Sequence, residues 1–271
     1  MTDQNTDGWD PLPVMRRLEA GEDVGAKDSE GWTALHRAVQ EGMENLVAHL
    51  LRAGVDINAT DNYQWTPLHW AAVRGNSALT RTLLQHGAEV NMTDLDLETP
   101  LHWAASWNHV EVARILLEHG ANMEATDRYG ETPFYQSCQE GNQEVASLLL
   151  QHGARKDVRN LEGNQPLHCA TFFGHEGVVK LLISQGVDVN IRTPKGRTPL
   201  HLAVGRHSLE MVSHLIQAGA DPTLEDGEGQ NPHNLATLQG DTEVAQKMEH
   251  DALRAKNNAL GALAPKPHRG G

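Results

Sequence analysis

A chain of 271 residues that is 39% hydrophobic but only 4% aromatic must build its core from small and aliphatic side chains rather than large rings. Its 22 Lys and Arg against 36 Asp and Glu give a net charge of −14, which argues against a nucleic-acid partner, because phosphates are neutralised by clustered basic residues. With no apolar run near the roughly eighteen residues of a membrane span, no signal peptide and two cysteines, we expect an intracellular protein, cytoplasmic or nuclear, without membrane insertion.

The first predicted element is a half repeat over residues 9–27, preceded by residues 1–8, which we expect to be disordered. Asp10-Pro11 is typical of a helix N-cap followed by a first-turn proline. Gly21 lies 33 residues before Gly54, the first of a regular series of glycines, so the segment keeps the spacing of the chain that follows. We therefore predict that it caps a stack of repeats.

From residue 28 onward, two markers recur with a step of 33 residues and no insertion. One is a four-residue block: Thr33-Ala34-Leu35-His36, Thr66-Pro67-Leu68-His69, Thr99-Pro100-Leu101-His102, Thr132-Pro133-Phe134-Tyr135, Gln165-Pro166-Leu167-His168, Thr198-Pro199-Leu200-His201 and Asn231-Pro232-His233-Asn234. The other is a glycine after a Leu-Leu or Leu-Ile pair: Gly54, Gly87, Gly120, Gly153, Gly186 and Gly219. The two markers predict six full repeats: 28–60, 61–93, 94–126, 127–159, 160–192 and 193–225.

Each repeat is predicted to contain two helices and a turn. The block threonine can cap the first helix, and the proline after it suits the first helical position, where no backbone N–H is needed. Apolar residues at helical spacing give each helix one buried face. An extended stretch such as 56–61 then leads to a hairpin turn. Beyond the full repeats, residues 226–256 form a degenerate repeat without the closing Gly-Ala, and residues 257–271 are predicted to be a disordered tail.

The combined pattern, Asp-x-x-Gly-x-Thr-Pro-Leu-His followed by Leu-Leu-x-x-Gly-Ala-x-x-Asn, resembles the ankyrin repeat over roughly residues 10–256. The resemblance implies an all-α ankyrin-repeat solenoid of helix–helix–β-hairpin-turn units with terminal capping repeats. It also implies that the block histidine bonds to the backbone and orders the loops. Four positions depart from the expected glycine and are predicted to distort their turns: Gln64, Leu97, Asn108 and His207.

No residue pattern in the sequence favours catalysis or metal binding. Equivalent histidines in neighbouring repeats should lie about 8–10 Å apart, too far to share a zinc ion with bonds of about 2 Å. Asp94 and Asp96 belong to a solvated turn where nothing would raise one pKa, and Cys138 and Cys169 fall in positions that suit buried thiols. We therefore expect no metal site, no cofactor and no enzymatic activity.

Aromatic residues are the strongest indication of a functional surface. Nine of them lie in columns that the repeat leaves variable and that, in ankyrin proteins, form the concave groove. Trp and Tyr are enriched at binding hot spots, so we predict that most of these rings contact a partner protein. An alternative is that some rings, Trp70 and Trp103 above all, pack against neighbouring repeats. The nine are Trp32, Tyr63, Trp65, Trp70, Trp103, Trp107, Tyr129, Phe172 and Phe173.

Charge varies along the same predicted groove. Four basic residues, Arg192, Lys195, Arg197 and Arg206, lie in or beside groove columns of the sixth repeat. They are consistent with a partner segment that has apolar anchors and an acidic end, but we favour the alternative that they are ordinary solvated surface charge.

We predict non-catalytic protein–protein binding, as a scaffold, adaptor or inhibitor, by a chain that is monomeric on its own. One alternative is a substrate-recognition subunit of a ubiquitin-ligase-type complex, and a less favoured one is a metal-dependent hydrolase. The resemblance further implies possible asparagine hydroxylation at Asn58, Asn91 and Asn190, each of which follows an acidic and an apolar residue. The alternative is that these asparagines only bond to the turn.

Overall fold

The computed structural model describes residues 9–263, with the side chains of 252 and 254–263 left out of the description. Within these residues there are fifteen α-helices and no β-strand. The helices are α1 (Leu12–Glu19), α2 (Ala34–Gln40), α3 (Glu44–Arg52), α4 (Pro67–Val73), α5 (Ser77–Gln85), α6 (Pro100–Ser106), α7 (Val110–Glu118), α8 (Pro133–Gln139), α9 (Gln143–Gln151), α10 (Pro166–Phe173), α11 (Glu176–Ser184), α12 (Pro199–Gly205), α13 (Leu209–Gln217), α14 (Pro232–Leu238) and α15 (Thr242–Leu263).

Two compact units divide the described chain: residues 9–137 with 144–154, and residues 138–143 with 155–263. In the first unit, α2, α4 and α6 stack in order, and each packs against the second helix of its own repeat. In the second unit, α10, α12 and α14 stack in the same way, and α13 packs along α15. The predicted all-α stack of two-helix repeats is confirmed.

The first helix of each repeat begins where the sequence places its cap. The Thr66 hydroxyl accepts a hydrogen bond from the backbone N–H of His69, and His69 Nδ1 accepts one from the Thr66 N–H at 3.1 Å. Both bonds satisfy donors that a helix start would otherwise leave unpaired. The same reciprocal pair begins α2, α6, α10 and α12, with Gln165 in place of threonine in α10.

Five of the seven described turns are closed by hydrogen bonds to one aspartate rather than by strands, and Asn160 and Thr193 take its place in the other two. The Asp61 N–H donates to the Trp65 carbonyl at 2.9 Å, and Asp61 Oδ1 accepts the backbone N–H groups of Tyr63 and Trp65. One backbone bond joins this turn to the preceding one, from the Asn62 N–H to the Glu30 carbonyl at 3.0 Å. The predicted β-hairpin is therefore a tight turn. A single backbone hydrogen bond to the preceding turn is not enough to form a β-strand.

The four residues that replace expected glycines all have positive φ: Gln64 at 62°, Leu97 at 63°, Asn108 at 56° and His207 at 57°. The expected local distortion is absent, because these residues adopt the left-handed conformation that glycine has at the equivalent positions. The turns are kept, and the strain falls on the side-chain-bearing residues themselves.

Part of the predicted C-terminal tail is helical. Residues 257–263 belong to α15, so the predicted tail is wrong for these residues, and the helix runs beyond the predicted repeat end at 256. The rest of the tail, 264–271, lies outside the described residues, as do residues 1–8. At the other end, α1 packs against α3 and has no fully buried side chain.

Candidate functional site in the first unit

Four tryptophans form a continuous row in the first unit. The Trp32 and Trp70 ring centroids are 4.5 Å apart, Trp70 and Trp65 are 4.7 Å apart, and Trp65 and Trp103 are 4.6 Å apart. All four side chains are half-buried. We call this row the tryptophan ladder. Its rings pack against one another and still face solvent, so both predicted roles, packing and exposure, are present together.

The ladder lines an open groove of about 770 Å³. Its walls come from the turns and first helices of three successive repeats, which explains why residues so far apart in sequence meet here. The groove is lined by Glu30, Trp32, Arg37, Gln40, Asp61, Tyr63, Trp65, Trp70, Asp94, Leu95, Asp96 and Trp103.

The turn aspartates orient side chains in the groove wall. In three of the first four repeats, Oδ2 of the turn aspartate accepts a hydrogen bond from the residue nine positions later: Arg37 to Asp28 at 3.1 Å, Trp103 to Asp94 at 3.1 Å and Gln136 to Asp127 at 3.0 Å. This role was not predicted from the sequence, because the nine-residue spacing alone does not show which way the side chains point.

One repeat lacks that bond. Asp61 and Trp70 hold the equivalent positions, yet Asp61 Oδ2 and Trp70 Nε1 are buried and have no hydrogen-bond partner. Oε1 of Gln40, which also lines the groove, is buried and unpaired as well. Unpaired buried polar atoms are unusual in folded proteins, and three of them lie along a single groove.

An acidic network lies beside the ladder. Gln136 Nε2 donates to Glu98 Oε1 at 2.7 Å and to Asp127 Oδ2 at 3.0 Å. Burial raises the pKa of Glu98 to about 7, assisted by the negative charges of Asp94, Asp127 and Asp96 and opposed by the bond from Gln136. Glu98 therefore changes charge near neutral pH. Sequence analysis did not identify it, because its burial depends on contacts between repeats.

The remaining predicted aromatics of this unit differ in position. Tyr63 is exposed and lines the groove. Trp107, at the C-cap of α6, is 54% exposed and is not among the residues that line this groove, so its predicted contact with a partner stays a prediction. Tyr129 is exposed beneath the Arg128 guanidinium, which lies 5.0 Å from its ring centroid.

In the second unit, the predicted residues form a smaller exposed patch. Phe172 and Phe173 pack edge to face at 5.2 Å, and the Arg206 guanidinium lies 5.8 Å from the Phe172 centroid. Arg197 pairs with Asp226 at 3.4 Å and Glu228 at 3.9 Å, so its charge is offset within the chain. Arg192 and Lys195 are exposed. The predicted basic end is therefore less positive than the sequence suggests.

The block histidines use both ring nitrogens in backbone bonds. In His69, Nδ1 accepts from its own cap while Nε2 donates to the carbonyl of Glu98 at 3.2 Å, in the next repeat. Burial lowers the pKa of His69 and of His168 to about 4, so both are neutral at physiological pH. Within the described part of the chain, no three His, Cys, Asp or Glu side chains are grouped as metal ligands would be.

The three asparagines considered for hydroxylation bond to the backbone of the following repeat. Asn91 Oδ1 accepts from the Asn122 N–H at 2.8 Å, and its Nδ2 donates to the Gly120 carbonyl at 3.2 Å. Asn58 and Asn190 accept equivalent bonds, at 2.9 and 2.8 Å. These bonds give the side chains a structural role. Hydroxylation stays a prediction.

Comparison with known proteins agrees with this geometry. The family model described as ankyrin repeats (3 copies) matches residues 7–94, 49–127, 91–160, 122–193 and 167–258. No match was found among curated protein sequences. Among the described residues, no helix is long and apolar enough to cross a membrane.

Two solved structures are similar over most of the chain. The ankyrin repeat domain of Bcl-3, described as a unique member of the IκB protein family, is 29% identical, with a TM-score of 0.72 over 82% of this chain and 100% of its own. The human ASB11 ankyrin repeat domain is 25% identical, with a TM-score of 0.73 over 81% of this chain and 98% of its own. With matches that together run from residue 7 to 258, this chain belongs to the ankyrin repeat family.

Proposed function

We propose that the chain binds another protein, without catalysis, through the tryptophan ladder and its groove, and that it serves as a scaffold, adaptor or inhibitor. The observation that carries the proposal is the row of four half-buried tryptophans along an open groove. Large rings that keep one face exposed bury much area on binding at little entropic cost. Ankyrin repeat domains are generally protein-interaction modules, which supports the same conclusion.

We also propose an intracellular site of action, in the cytoplasm or nucleus. Both cysteines are buried and neither forms a disulfide, as suits a reducing compartment. No described contact favours the ubiquitin-ligase or hydrolase alternatives over a simple binding module, and both stay hypotheses.

The test compares three tagged forms of the protein expressed in its own cells: wild type, Trp65→Ala and Trp107→Ala. The two variants remove the same residue type, one from the ladder and one from an exposed position outside the groove. Quantitative mass spectrometry should identify a partner that wild type and Trp107→Ala retain and Trp65→Ala loses. Equal capture by all three forms would contradict binding through the groove.

A further inference from the structure

The turn aspartates of the first two repeats have different partners. In the first repeat, the Arg37 guanidinium donates to Asp28 Oδ2 at 3.1 Å and lies 4.2 Å from the Trp32 ring centroid. One cationic side chain therefore donates a hydrogen bond to the carboxylate and makes a cation–π contact with the indole ring. In the second repeat, Asp61 and Trp65 are the equivalents of Asp28 and Trp32, but Trp70 stands where the arginine would be.

The second-repeat carboxylate is left unsatisfied. Asp61 is only 6% exposed and lines the groove, and its Oδ2 has no hydrogen-bond partner. Trp70 does not replace the arginine as a donor, because its Nε1 is also unpaired. Turning the Trp70 ring aside would therefore break no hydrogen bond of that nitrogen, whereas a donor reaching Asp61 Oδ2 would make a charge-assisted one.

Charge around the groove also favours a cation. Glu30, Asp61, Asp94 and Asp96 line it, and Arg37, the basic residue among the lining side chains, is already held by Asp28. Gln40 Oε1 adds a second unpaired acceptor. Two unpaired acceptors in a groove that tryptophans also line suit a planar guanidinium, which offers five N–H donors and stacks on aromatic rings, better than an ammonium group.

We propose that the groove receives an arginine side chain from an extended segment of the partner protein, with Asp61 Oδ2 as its acceptor and the tryptophan ladder as its stacking surface. The arginine would repeat, between two molecules, the contacts that Arg37 makes within the first repeat. This inference rests on the proposed function and names the chemistry that the groove recognises.

The test uses a displayed library of random twelve-residue peptides selected against wild-type protein. Enriched peptides should share an arginine, and their binding should fall at least tenfold when that arginine is changed to glutamine and severalfold when it is changed to lysine. Affinity should also fall as salt rises, since the contact is between opposite charges.

Asp61→Asn is the informative protein variant. Asparagine keeps an Oδ1 acceptor for the N–H groups of Tyr63 and Trp65 while removing the carboxylate charge. Asp61→Asn should weaken binding of the arginine-containing peptide at least tenfold, and it should have little further effect on binding of the peptide whose arginine is changed to glutamine. Asp226→Asn, the same change at the equivalent turn of the second unit, is the matched control and should leave binding unchanged.

The outcomes separate this inference from the proposed function. Peptides that bind wild type and lose binding with Trp65→Ala, but carry no arginine or ignore Asp61→Asn, would overturn the arginine inference and leave groove binding intact. Selection of lysine- or acid-rich peptides would overturn it as well. Selected peptides that bind equally well to Trp65→Ala would contradict both proposals.

Discussion

A single histidine in each of five repeats ties its own helix start to a backbone carbonyl 29 residues later, or 23 residues later for His168, and that role has a consequence for pH dependence. Protonating His69 at Nδ1 would remove the acceptor that its cap requires. The pKa of His69 is about 4 in the folded protein, below the 6.5 of an unperturbed histidine, so the unfolded state binds more protons between these values. Stability therefore falls as pH decreases from 6.5 to 4.

We expect the loss of stability to be of the order of 3 kcal/mol for each of His69 and His168, because the pKa of each is lowered from 6.5 to about 4. Urea unfolding between pH 4 and 8 measures the slope, and NMR titration of the His69 ring measures its pKa directly. A His69 midpoint near 6.5 would contradict the proposed bonding.

Glu98 has the opposite pH dependence. Its pKa of about 7 in the folded protein lies above the 4.5 of a free glutamate, so its contribution to stability is fully present below pH 4.5 and is lost as pH rises through 7.

Glutamine in place of Glu98 keeps an acceptor for Gln136 and carries no charge. Glu98→Gln should therefore be more stable than wild type at pH 8 by about 1–3 kcal/mol, and equal to it near pH 4.5. Glu89→Gln, at an exposed carboxyl, is the control; equal gains in both variants at pH 8 would contradict the assignment.

At the scale of the element, each turn requires one residue in the left-handed conformation. Leu97 adopts it with φ of 63°, at a cost that glycine does not have. Leu97→Gly should stabilise the protein by about 0.5–1 kcal/mol, after allowing for the greater entropy that glycine loses on folding. Leu161→Gly removes another exposed turn leucine, 80% exposed against 50% for Leu97, whose φ is not positive, and it should not stabilise the protein. Thermal unfolding of both variants measures this effect. A Leu97→Gly variant that is less stable than wild type would show that the positive φ of Leu97 does not strain the turn.

The helix starts could be predicted because their signals are local and repeated. The nine-residue pairing of Asp94 with Trp103 was missed, because it depends on side-chain direction rather than on spacing alone. Arg197 looked free in sequence because its partner Asp226 lies 29 residues later, in the next repeat. The prolines after residue 263 suggested a tail, yet the residues before them are mostly good helix formers, and α15 extends through them.

At the scale of the whole molecule, the strict period predicted the fold, since each repeat packs mainly against its neighbours. The period could not predict which aromatic residues line the groove, because equivalent positions of different repeats hold different residues with different contacts. Trp107 is exposed outside the groove, whereas Trp65 lies between two other rings of the ladder. The net charge of −14 and the acidic groove agree with a basic partner, whose association should slow as salt rises.

The most direct test of the central claim measures two quantities on the same variants with the captured partner: Kd by calorimetry and the free energy of unfolding by denaturant. Trp65→Ala should weaken binding about thirtyfold, or about 2 kcal/mol, while losing less stability than the 3–5 kcal/mol of a fully buried tryptophan. Trp107→Ala should change neither quantity by much. Unchanged affinity in Trp65→Ala, or its complete unfolding, would contradict the assignment of the tryptophan ladder to partner binding.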